Sequence, residues 1–400
     1  MSNDYRKDFM TWWNNFQTMQ HDLIADMQNT VEDSPYHRED NVFIHTKMVT
    51  EYFIKFTDDI RQGSPWKYED IQGAVACVFH DMGKPDTEEE FFSEKYQKVI
   101  RQYKGHEVVS AAYFMDCWCE NEFNVRSIID DLNAFYNVWV MVAYHLPYNF
   151  KDNNLQMLRT HMEHFALMDT FTRVLLSDCH GRMQDEREKE IAGCYDWIER
   201  FTNTKVAYLN NYVNNGEIYT MVGVPASGKS TMVASLSDSR DVSVVSFDSI
   251  RQALFPDAQS YHDAFVKCED YFNDDGRDPS LVFHRLNIGQ PDKLYGFSEL
   301  TQMIMRDAIK KAVPDTTIIF DNTSLTRKSR RIINAVNSKE KRKVTAVQFI
   351  RSLNELFENE NSRTEYDKRG IGVIKRMYFG YFPVLLGEVD DIKLIPPKGY

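Results

Sequence analysis

The chain has 400 residues, and a prior of roughly 150 residues per domain predicts two or three domains. Apolar residues make up 42% and charged residues 27% of the sequence, a globular composition that excludes wholesale disorder, collagen and low-complexity classes. The formal net charge of −13 excludes a protein that coats nucleic acid non-specifically, but it allows binding of a nucleic-acid end through a few local cations.

The first part of the chain is predicted to be helical. Apolar residues recur at helical spacing over Asp40–Phe56 and Tyr68–Phe79, and Glu163–Asp178 carries one stripe that includes His164. His45 lies on the apolar face of the first of these segments. Strand-like alternation is scarce before residue 215, so we expect an all-α region.

The second part of the chain alternates between strands and helices. A charged run and the polar segment Asn210–Gly216 predict a boundary between residues 200 and 215. The predicted strands are Ile218–Val222, Val242–Phe247, Thr316–Phe320 and Lys343–Ile350, and the helices that follow them are Ser230–Leu236, Ile250–Leu254, Leu325–Val336 and Leu353–Glu360. This alternation predicts a parallel sheet covered on both sides.

A phosphate-binding motif follows the first predicted strand. Gly223–Ser230 fits G-x-x-x-x-G-K-[ST] at every fixed position. In such a loop the backbone N–H groups surround phosphate oxygens, the lysine reaches the β- and γ-phosphates and the serine ligates Mg²⁺. We therefore predict a site for ATP or another NTP with Mg²⁺, formed by Gly223, Ser227, Gly228, Lys229, Ser230 and Thr231.

Two acids and two arginines follow predicted strands or helices of this second part. Asp248 and Asp321 each come at the end of a strand, where an open sheet faces its ligand. Such a carboxylate holds Mg²⁺ or takes a proton from an attacking hydroxyl, although each Asp is also a plausible helix cap. Arg251 lies one helical turn after Asp248, and Arg363 lies in an N-x-R sequence; both can grip a phosphate.

In their order, these features resemble the kinase domain of polynucleotide 5′-kinases over about residues 216–395. The resemblance implies that Asp248 is the general base on a 5′-hydroxyl and that Arg251 holds the acceptor phosphate. It implies that Arg363 is the lid arginine, with Arg369 as a second candidate. Residues 255–309 form an insertion to which the resemblance gives no role.

A second set of chemically distinctive residues lies in the helical part. His80 and Asp81 are adjacent, His45 lies upstream, and Asp178 opens a D-x-x-G-R sequence downstream. Buried carboxylates and imidazoles need partners or a cation. One metal ion bound by His45, His80, Asp81 and Asp178 would satisfy all four.

The order H…HD…D resembles the HD-superfamily metal phosphohydrolases over about residues 35–185. The resemblance implies that Lys84 contacts a substrate phosphate and that His106 and His145 bind a second metal. It also suggests that His37 contacts the substrate. One or two divalent transition-metal ions are therefore expected, and two would fix a hydroxide and hold a phosphoryl oxygen.

The order of the two parts resembles the bacterial and phage HD-domain polynucleotide kinases of RNA end healing. The fold class that this implies is multidomain α and α/β, with an all-α HD domain over 1–205 and a P-loop parallel-sheet kinase domain over 216–400. The implied enzyme phosphorylates 5′-OH ends with an NTP and hydrolyses 2′,3′-cyclic, 2′- or 3′-terminal phosphates. Its partners would be RNA ends, with DNA or tRNA ends as variants, and a ligase that acts downstream.

Two other function classes remain open on the sequence. The first is a small-molecule kinase, for a nucleoside or metabolite, fused to an HD nucleotide phosphohydrolase. The second is a regulator whose sites bind nucleotides without turning them over. Dependence of the kinase on the length of its acceptor separates the first from an end-healing enzyme.

The sequence also predicts a cytoplasmic protein without a membrane partner. No stretch of about 18 apolar residues is present, and residues 1–4 lack the basic and apolar order of a signal peptide. The six cysteines form no C-x-x-C pair, which is typical of a reducing compartment rather than of a disulfide framework.

Overall fold

The computed structural model describes most of the chain. The described residues are 4–32, 37–94, 97–183, 187–206, 216–239, 242–246, 283–285, 294–296, 305–306, 308–339, 341–363 and 368–400. Asp248 and Arg251 lie outside these ranges.

Among the described residues before 207, nine α-helices form the N-terminal region. They are α1 (Tyr5–Thr18), α2 (Asp22–Asn29), α3 (Val42–Arg61), α4 (Tyr68–Phe79), α5 (His106–Glu120), α6 (Leu132–Ala143), α7 (Asp152–His164), α8 (Met168–Gly181) and α9 (Arg187–Asn203). Every residue of α4 from Asp70 to Phe79 is buried, because α1, α3, α5, α6 and α8 surround it. Burial on every side of a helix is typical of such a central position.

The predicted stripe over Glu163–Asp178 is wrong as a single helix. The chain breaks between α7 and α8, where Ala166 has a φ of 55° and the Leu167 N–H donates to the Met162 carbonyl at 2.7 Å. A left-handed residue ends a helix because the next N–H groups turn back onto its last carbonyls. His164 and Asp178 consequently lie on different helices.

A β-hairpin corrects the prediction that the N-terminal region is all α. Strand β1 (Val31–Glu32) pairs with β2 (Asp40–Asn41), and the longer β3 (Glu88–Ser93) pairs with β4 (Lys98–Tyr103), both antiparallel. Of the strand residues Glu88–Ser93 and Lys98–Tyr103, only Ser93 is buried, so no alternating apolar pattern marks the hairpin. Cross-strand charge pairs stabilise it instead: Arg101 lies 2.9 Å from Glu88 and 3.1 Å from Glu90.

The predicted parallel sheet is confirmed in the C-terminal region. Its strands are β5 (Glu217–Val222), β6 (Val242–Ser246), β9 (Thr317–Asp321), β10 (Lys343–Phe349) and β11 (Asp391–Ile395), in the order β11-β10-β5-β9-β6. All four pairings are parallel. Strand β11 was not predicted. A short antiparallel pair, β7 (Phe283–Arg285) and β8 (Leu294–Gly296), lies inside the 255–309 insertion.

Four described helices follow these strands: α10 (Lys229–Ser239), α11 (Arg327–Asn337), α12 (Leu353–Asn361) and α13 (Ile371–Tyr378). The central strands are almost wholly apolar, as in β9, where Ile318, Ile319 and Phe320 are all buried. Such runs are expected when helices cover both faces of a parallel sheet. The arrangement brings the carboxyl ends of β5, β9 and β10 to one edge of the sheet.

The helical region packs directly against the sheet region. Trp139 on α6 makes an edge-on ring contact with Tyr381 at 5.2 Å between centroids. The Tyr136 hydroxyl donates to Gln348 Oε1 at 2.8 Å, and the Tyr144 hydroxyl donates to the Pro383 carbonyl at 3.0 Å. These phenols are buried and bonded, so α6 contributes one face of a continuous core. The predicted boundary between 200 and 215 falls mainly on residues outside the described ranges.

A partly buried carboxylate lies in the same contact region. Asp116 on α5 accepts a hydrogen bond from the Leu353 N–H at 2.7 Å, at the start of α12, and lies 3.4 Å from the Tyr378 hydroxyl. Burial raises the pKa of Asp116 from 3.8 to about 6. Glu120 and Glu122 raise this pKa further, while the bonds from Leu353 and Tyr378 oppose the shift.

We expect Asp116 to make stability depend on pH. The raised pKa means that folding favours the protonated form of Asp116. The stabilisation of the folded state by this protonation is therefore full below pH ~4 and is lost as pH rises through about 6. Asp116→Asn cannot ionise, so its unfolding free energy relative to the wild type should rise by ~2.5 kcal/mol between pH ~4 and pH ~7.5. Urea unfolding at both pH values measures this difference. The exposed control Asp315→Asn should show no such change, and a flat difference for Asp116→Asn would contradict the assignment.

Candidate functional site

The phosphate-binding loop connects β5 to α10 at the carboxyl edge of the sheet. Strand β5 ends at Val222 and α10 begins at Lys229. Gly228 has a φ of 93°, a conformation that side chains disfavour and glycine adopts freely. The Gly223 N–H donates to the Thr323 carbonyl at 3.1 Å, which ties the loop to the residues after β9. The motif therefore has the strand-loop-helix setting that phosphate binding requires.

The predicted nucleotide contacts of this loop lie together. Lys229 Nζ donates to the Gly223 and Val224 carbonyls at 2.8 and 2.9 Å, so the ammonium lies inside the loop. Ser230 Oγ donates to Asp321 Oδ2 at 3.4 Å. Two oxygen ligands at this separation are suited to one Mg²⁺ ion. The sequence prediction had named Ser230 and Asp321 separately, and the structure brings them together.

A cleft of about 590 Å³ lies beside the loop. One wall is the loop and the start of α10, with Ser227, Gly228 and Thr231 among its residues. The opposite wall is formed by α12, whose Asn359 side chain donates to the Ala226 carbonyl at 3.0 Å. Arg363 also lines this cleft and lies 3.5 Å from Glu360.

Three charged cleft residues were not predicted. Arg351 and Glu355 form an ion pair of 3.0 Å at the carboxyl end of β10, and Lys398 donates to Asn359 Oδ1 at 3.0 Å. Arg351 follows a parallel strand, so the same rule that selected Asp321 would have found it. No motif marks Lys398. Asp248 and Arg251 lie outside the described residues, although the strand that leads to them, β6, ends at Ser246 beside Asp321.

The four residues of the H…HD…D pattern meet at the centre of the helical region. His45 Nε2 lies 3.3 Å from His80 Nε2, 3.2 Å from Asp81 Oδ2 and 3.3 Å from Asp178 Oδ1. All four side chains are buried. Ligand atoms this close can share one metal ion, and the groups that fit a metal include His45, His80 and Asp178.

Local packing explains how α3 and α8 bring their ligands together. A Cβ on Gly181 would lie 2.6 Å from Val49 Cγ2 and 2.9 Å from the Val49 backbone nitrogen. Only glycine allows these two helices to approach so closely. Since His45 lies one turn before Val49 and Asp178 lies three residues before Gly181, the glycine of the D-x-x-G-R sequence sets the distance between two ligands.

Asp81 also faces a second cluster. Its Oδ1 lies 3.0 Å from His106 Nε2 and 3.6 Å from His145 Nε2, and these two nitrogens are 3.3 Å apart. The other oxygen, Oδ2, faces His45 and His80. A carboxylate with one oxygen in each cluster has the geometry of a ligand that bridges two metal ions.

The outer ring nitrogens of three histidines fix how their rings are oriented. Nδ1 of His80 lies 2.7 Å from the Cys77 carbonyl, and Nδ1 of His106 lies 2.5 Å from the Tyr103 carbonyl. Nδ1 of His145 lies 2.8 Å from the Val142 carbonyl. A carbonyl only accepts, so Nδ1 carries the proton and the Nε2 lone pair points into the cluster. This is the arrangement found in metal-ligating histidines.

The charge balance of the cluster also fits cations. Four carboxylates are buried there: Glu32, Glu39, Asp81 and Asp178. Within the described part of the chain, the permanent cations paired with them are Lys84, which lies 2.7 Å from Asp81 Oδ2 and 2.5 Å from Glu32, and Arg182, whose Nε donates to Asp178 at 3.2 Å. The excess negative charge and the nitrogen and oxygen donors suit a divalent transition metal.

The pKa values of the two ligand aspartates are held low. Burial alone would raise the pKa of Asp81, but His80 and Lys84 lower it well below its usual value. For Asp178, burial is likewise outweighed, mainly by Arg182 and His45. Both groups are therefore carboxylates in the physiological range, which is the form that binds a metal.

Lys84 and His37 both lie beside the cluster of histidines and aspartates. Both line a cavity of about 360 Å³ that opens onto Asp81, His106 and His145. His37 Nδ1 lies 3.4 Å from Glu39 Oε2. Glu32 and Glu39 were not predicted, because the H…HD…D pattern gives no signal for carboxylates beyond the ligands. They lie at β1 and just before β2, a ribbon too short to show periodicity.

Comparisons with known proteins bear on the C-terminal region. A family model described as an AAA domain matches residues 218–378, less than half of the chain. The solved structure of Kti12 from Chaetomium thermophilum, in complex with ADP-AlF3, is 11% identical over 45% of this chain and 88% of Kti12. Its TM-score is 0.28, so this likeness carries no argument. A search of curated proteins gives no match.

The loop, the sheet and the family match together define a P-loop nucleotide-binding domain in the C-terminal region. Binding of a nucleotide with Mg²⁺ follows from this class and from the positions of Lys229, Ser230 and Asp321. Among the helices of the described ranges, none has the length and apolarity to cross a bilayer.

We expect the helical cluster to hold two divalent metal ions. Purified protein loaded with Mn²⁺ or Zn²⁺ and then desalted should retain about two ions per chain, measured by mass spectrometry of the metal. His145→Ala removes a ligand from one cluster only, so it should retain about one. Asp81→Asn should retain fewer than one, because both clusters lose charge. The exposed control His164→Ala should match the wild type; equal retention by all variants would contradict the assignment.

Proposed function

We propose that this chain is a bifunctional nucleic-acid end-healing enzyme. Its P-loop domain transfers the γ-phosphate of an NTP to a 5′-hydroxyl of a polynucleotide. Its helical region is an HD-type phosphohydrolase that removes a 2′,3′-cyclic, 2′- or 3′-terminal phosphate. The observation that carries the proposal is the meeting of His45, His80, Asp81 and Asp178 in one buried cluster, on the same chain as a kinase-like P-loop.

In the kinase half, this chain's residues position the donor and remove a proton. Lys229 and the loop N–H groups bind the phosphates, while Ser230 and Asp321 supply oxygens for Mg²⁺. Arg363, on the opposite wall of the cleft, is placed to bind the transferring phosphoryl group. Asp248 is proposed as the base, because the sequence puts it just after β6.

In the hydrolase half, bound metal ions would activate water and polarise a phosphoryl oxygen. The protein's own contribution is to hold six ligands in place and to keep cations beside them. Lys84 bonds to a ligand carboxylate and also lines the cavity, so it can meet a substrate phosphate. Hydrolysis breaks the bond between phosphorus and the leaving ribose oxygen, which takes a proton as the water oxygen bonds to phosphorus.

The alternative is a small-molecule kinase fused to an HD nucleotide phosphohydrolase. The size of the metal cavity, about 360 Å³, favours neither reading, since it would take a free nucleotide or one terminal nucleotide of a chain. The acceptor of the kinase therefore decides between them.

Kinase activity is tested with γ-labelled ATP, Mg²⁺, a 5′-OH oligoribonucleotide and a mixture of nucleosides. We expect label on the oligoribonucleotide. Lys229→Met should reduce labelling by about 100-fold or more, since a charged contact to the transferring group is lost. The exposed control Lys310→Met should be unaffected. Label only on nucleosides would establish the alternative, and full activity of Asp248→Ala would rule out that base.

Hydrolase activity is tested on oligoribonucleotides that end in a 2′,3′-cyclic, 2′- or 3′-phosphate. Metal-loaded protein should release phosphate from at least one of them, and His80→Ala should lower the rate by about 100-fold or more. His80→Ala should keep kinase activity and Lys229→Met should keep hydrolase activity, because the residues serve different sites. Undiminished metal-dependent hydrolysis by His80→Ala would exclude this cluster as the hydrolase.

A further inference from the structure

The β3–β4 hairpin forms a wall of the metal cavity. Phe91, Ile100 and Gln102 line the cavity from the hairpin, as do Arg101 and Tyr103, while Lys84 and Arg182 line it from the side of the candidate ligands. The cavity therefore has a charged side, next to the candidate metal cluster, and a hairpin side that offers aromatic rings, an aliphatic side chain and an amide beside Arg101. A ligand that fills both sides carries a phosphate and a flat, partly apolar group.

The register of the hairpin places these three residues on one face. Phe91 pairs with Ile100 and Glu89 pairs with Gln102, so Phe91, Ile100 and Gln102 point to the same side of the ribbon. Phe92 and its partner Val99 point to the other side, and each is 58% exposed. Phe91 is 39% exposed although it lines a cavity. Of the two adjacent phenylalanines, Phe91 lines the cavity and Phe92 does not.

The hairpin is fixed at its cluster end. The Tyr103 hydroxyl donates to the Val31 carbonyl at 2.6 Å, and the Tyr103 ring lies 5.5 Å from Lys84 Nζ. The amide of Gln102 donates to Glu89 Oε2 at 3.1 Å, which orients its remaining N–H and its oxygen. An oriented amide beside an exposed aromatic ring is a suitable surface for a heterocyclic base, since stacking binds the ring and the amide bonds to its edge.

We propose that the hairpin face of Phe91, Ile100 and Gln102 binds the nucleobase of the nucleotide whose phosphate is hydrolysed at the metal cluster. This inference rests on the proposed function and deepens it, because it makes the hydrolase selective for nucleotides over other phosphate esters. The base stacks on Phe91. Its phosphate reaches Lys84 and the metal ligands across the same cavity.

The test compares base-bearing and abasic ligands on metal-loaded protein. One oligoribonucleotide carries a 3′-phosphate on a normal terminal nucleotide, and a second is identical but lacks the terminal base. Steady-state hydrolysis gives KM and kcat, and fluorescence anisotropy gives the Kd of the same pair made with a non-hydrolysable 3′-phosphonate. The wild type should bind the base-bearing ligand about tenfold or more tightly than the abasic one.

Phe91→Ala should lose that preference, by weakening KM and Kd for the base-bearing ligand alone, with kcat little changed. Phe91→Tyr should restore it, because a phenol ring also stacks. Phe92→Ala, on the opposite face, is the matched control and should behave as the wild type. Equal binding of both ligands by the wild type, or a preference that survives Phe91→Ala, would overturn the inference. Base-dependent binding without hydrolysis would support the nucleobase-binding face and would overturn the proposed hydrolase activity instead.

Discussion

The buried carboxylate of Asp81 constrains how the helices of the helical region pack. Its two oxygens face different clusters, one with His45 and His80 and the other with His106 and His145. A charge buried this deeply is stable only when its surroundings compensate it. Residues around Asp81 come from five helices or their ends: α3, α4, α5, α6 and α8. Because each of these helices supplies a group that contacts the cluster, the cluster constrains how they pack.

The contact between the two regions follows from the same architecture. Helix α6 leads to His145 at one end, and along its length it presents Tyr136 and Trp139 to the sheet region. The helix that leads to a candidate metal ligand therefore also forms the face that packs against the P-loop domain. The Asp116 carboxylate bonds to the first N–H of α12, the helix that lines the nucleotide cleft. Each candidate site is thus held by an element that touches the other region.

The sequence predicted what depends on residue type and period. The P-loop, the strands β5, β6, β9 and β10 and the buried histidines and aspartates of the helical cluster all have such signals, because phosphate and metal binding demand particular side chains and buried strands must be apolar. It did not predict the β3–β4 hairpin, whose stability comes from exposed cross-strand charges. It also did not predict the helix break at Ala166, which results from a left-handed backbone conformation that the residue type does not signal. It also missed Glu32 and Glu39, since carboxylates around a cluster are recognised only after folding.

Hydrogen bonds connect the β3–β4 hairpin, which the sequence did not predict, to the predicted histidine-aspartate cluster. The carbonyl of Tyr103, its last residue, accepts from Nδ1 of His106, which begins α5. The orientation of that imidazole therefore depends on where the hairpin ends. The Tyr103 hydroxyl is bonded to Val31, next to Glu32, which in turn binds Lys84. The hairpin thus belongs to the same hydrogen-bonded unit as the candidate ligand His106 and as Lys84, so movement of its cavity face is coupled to the geometry of the cluster.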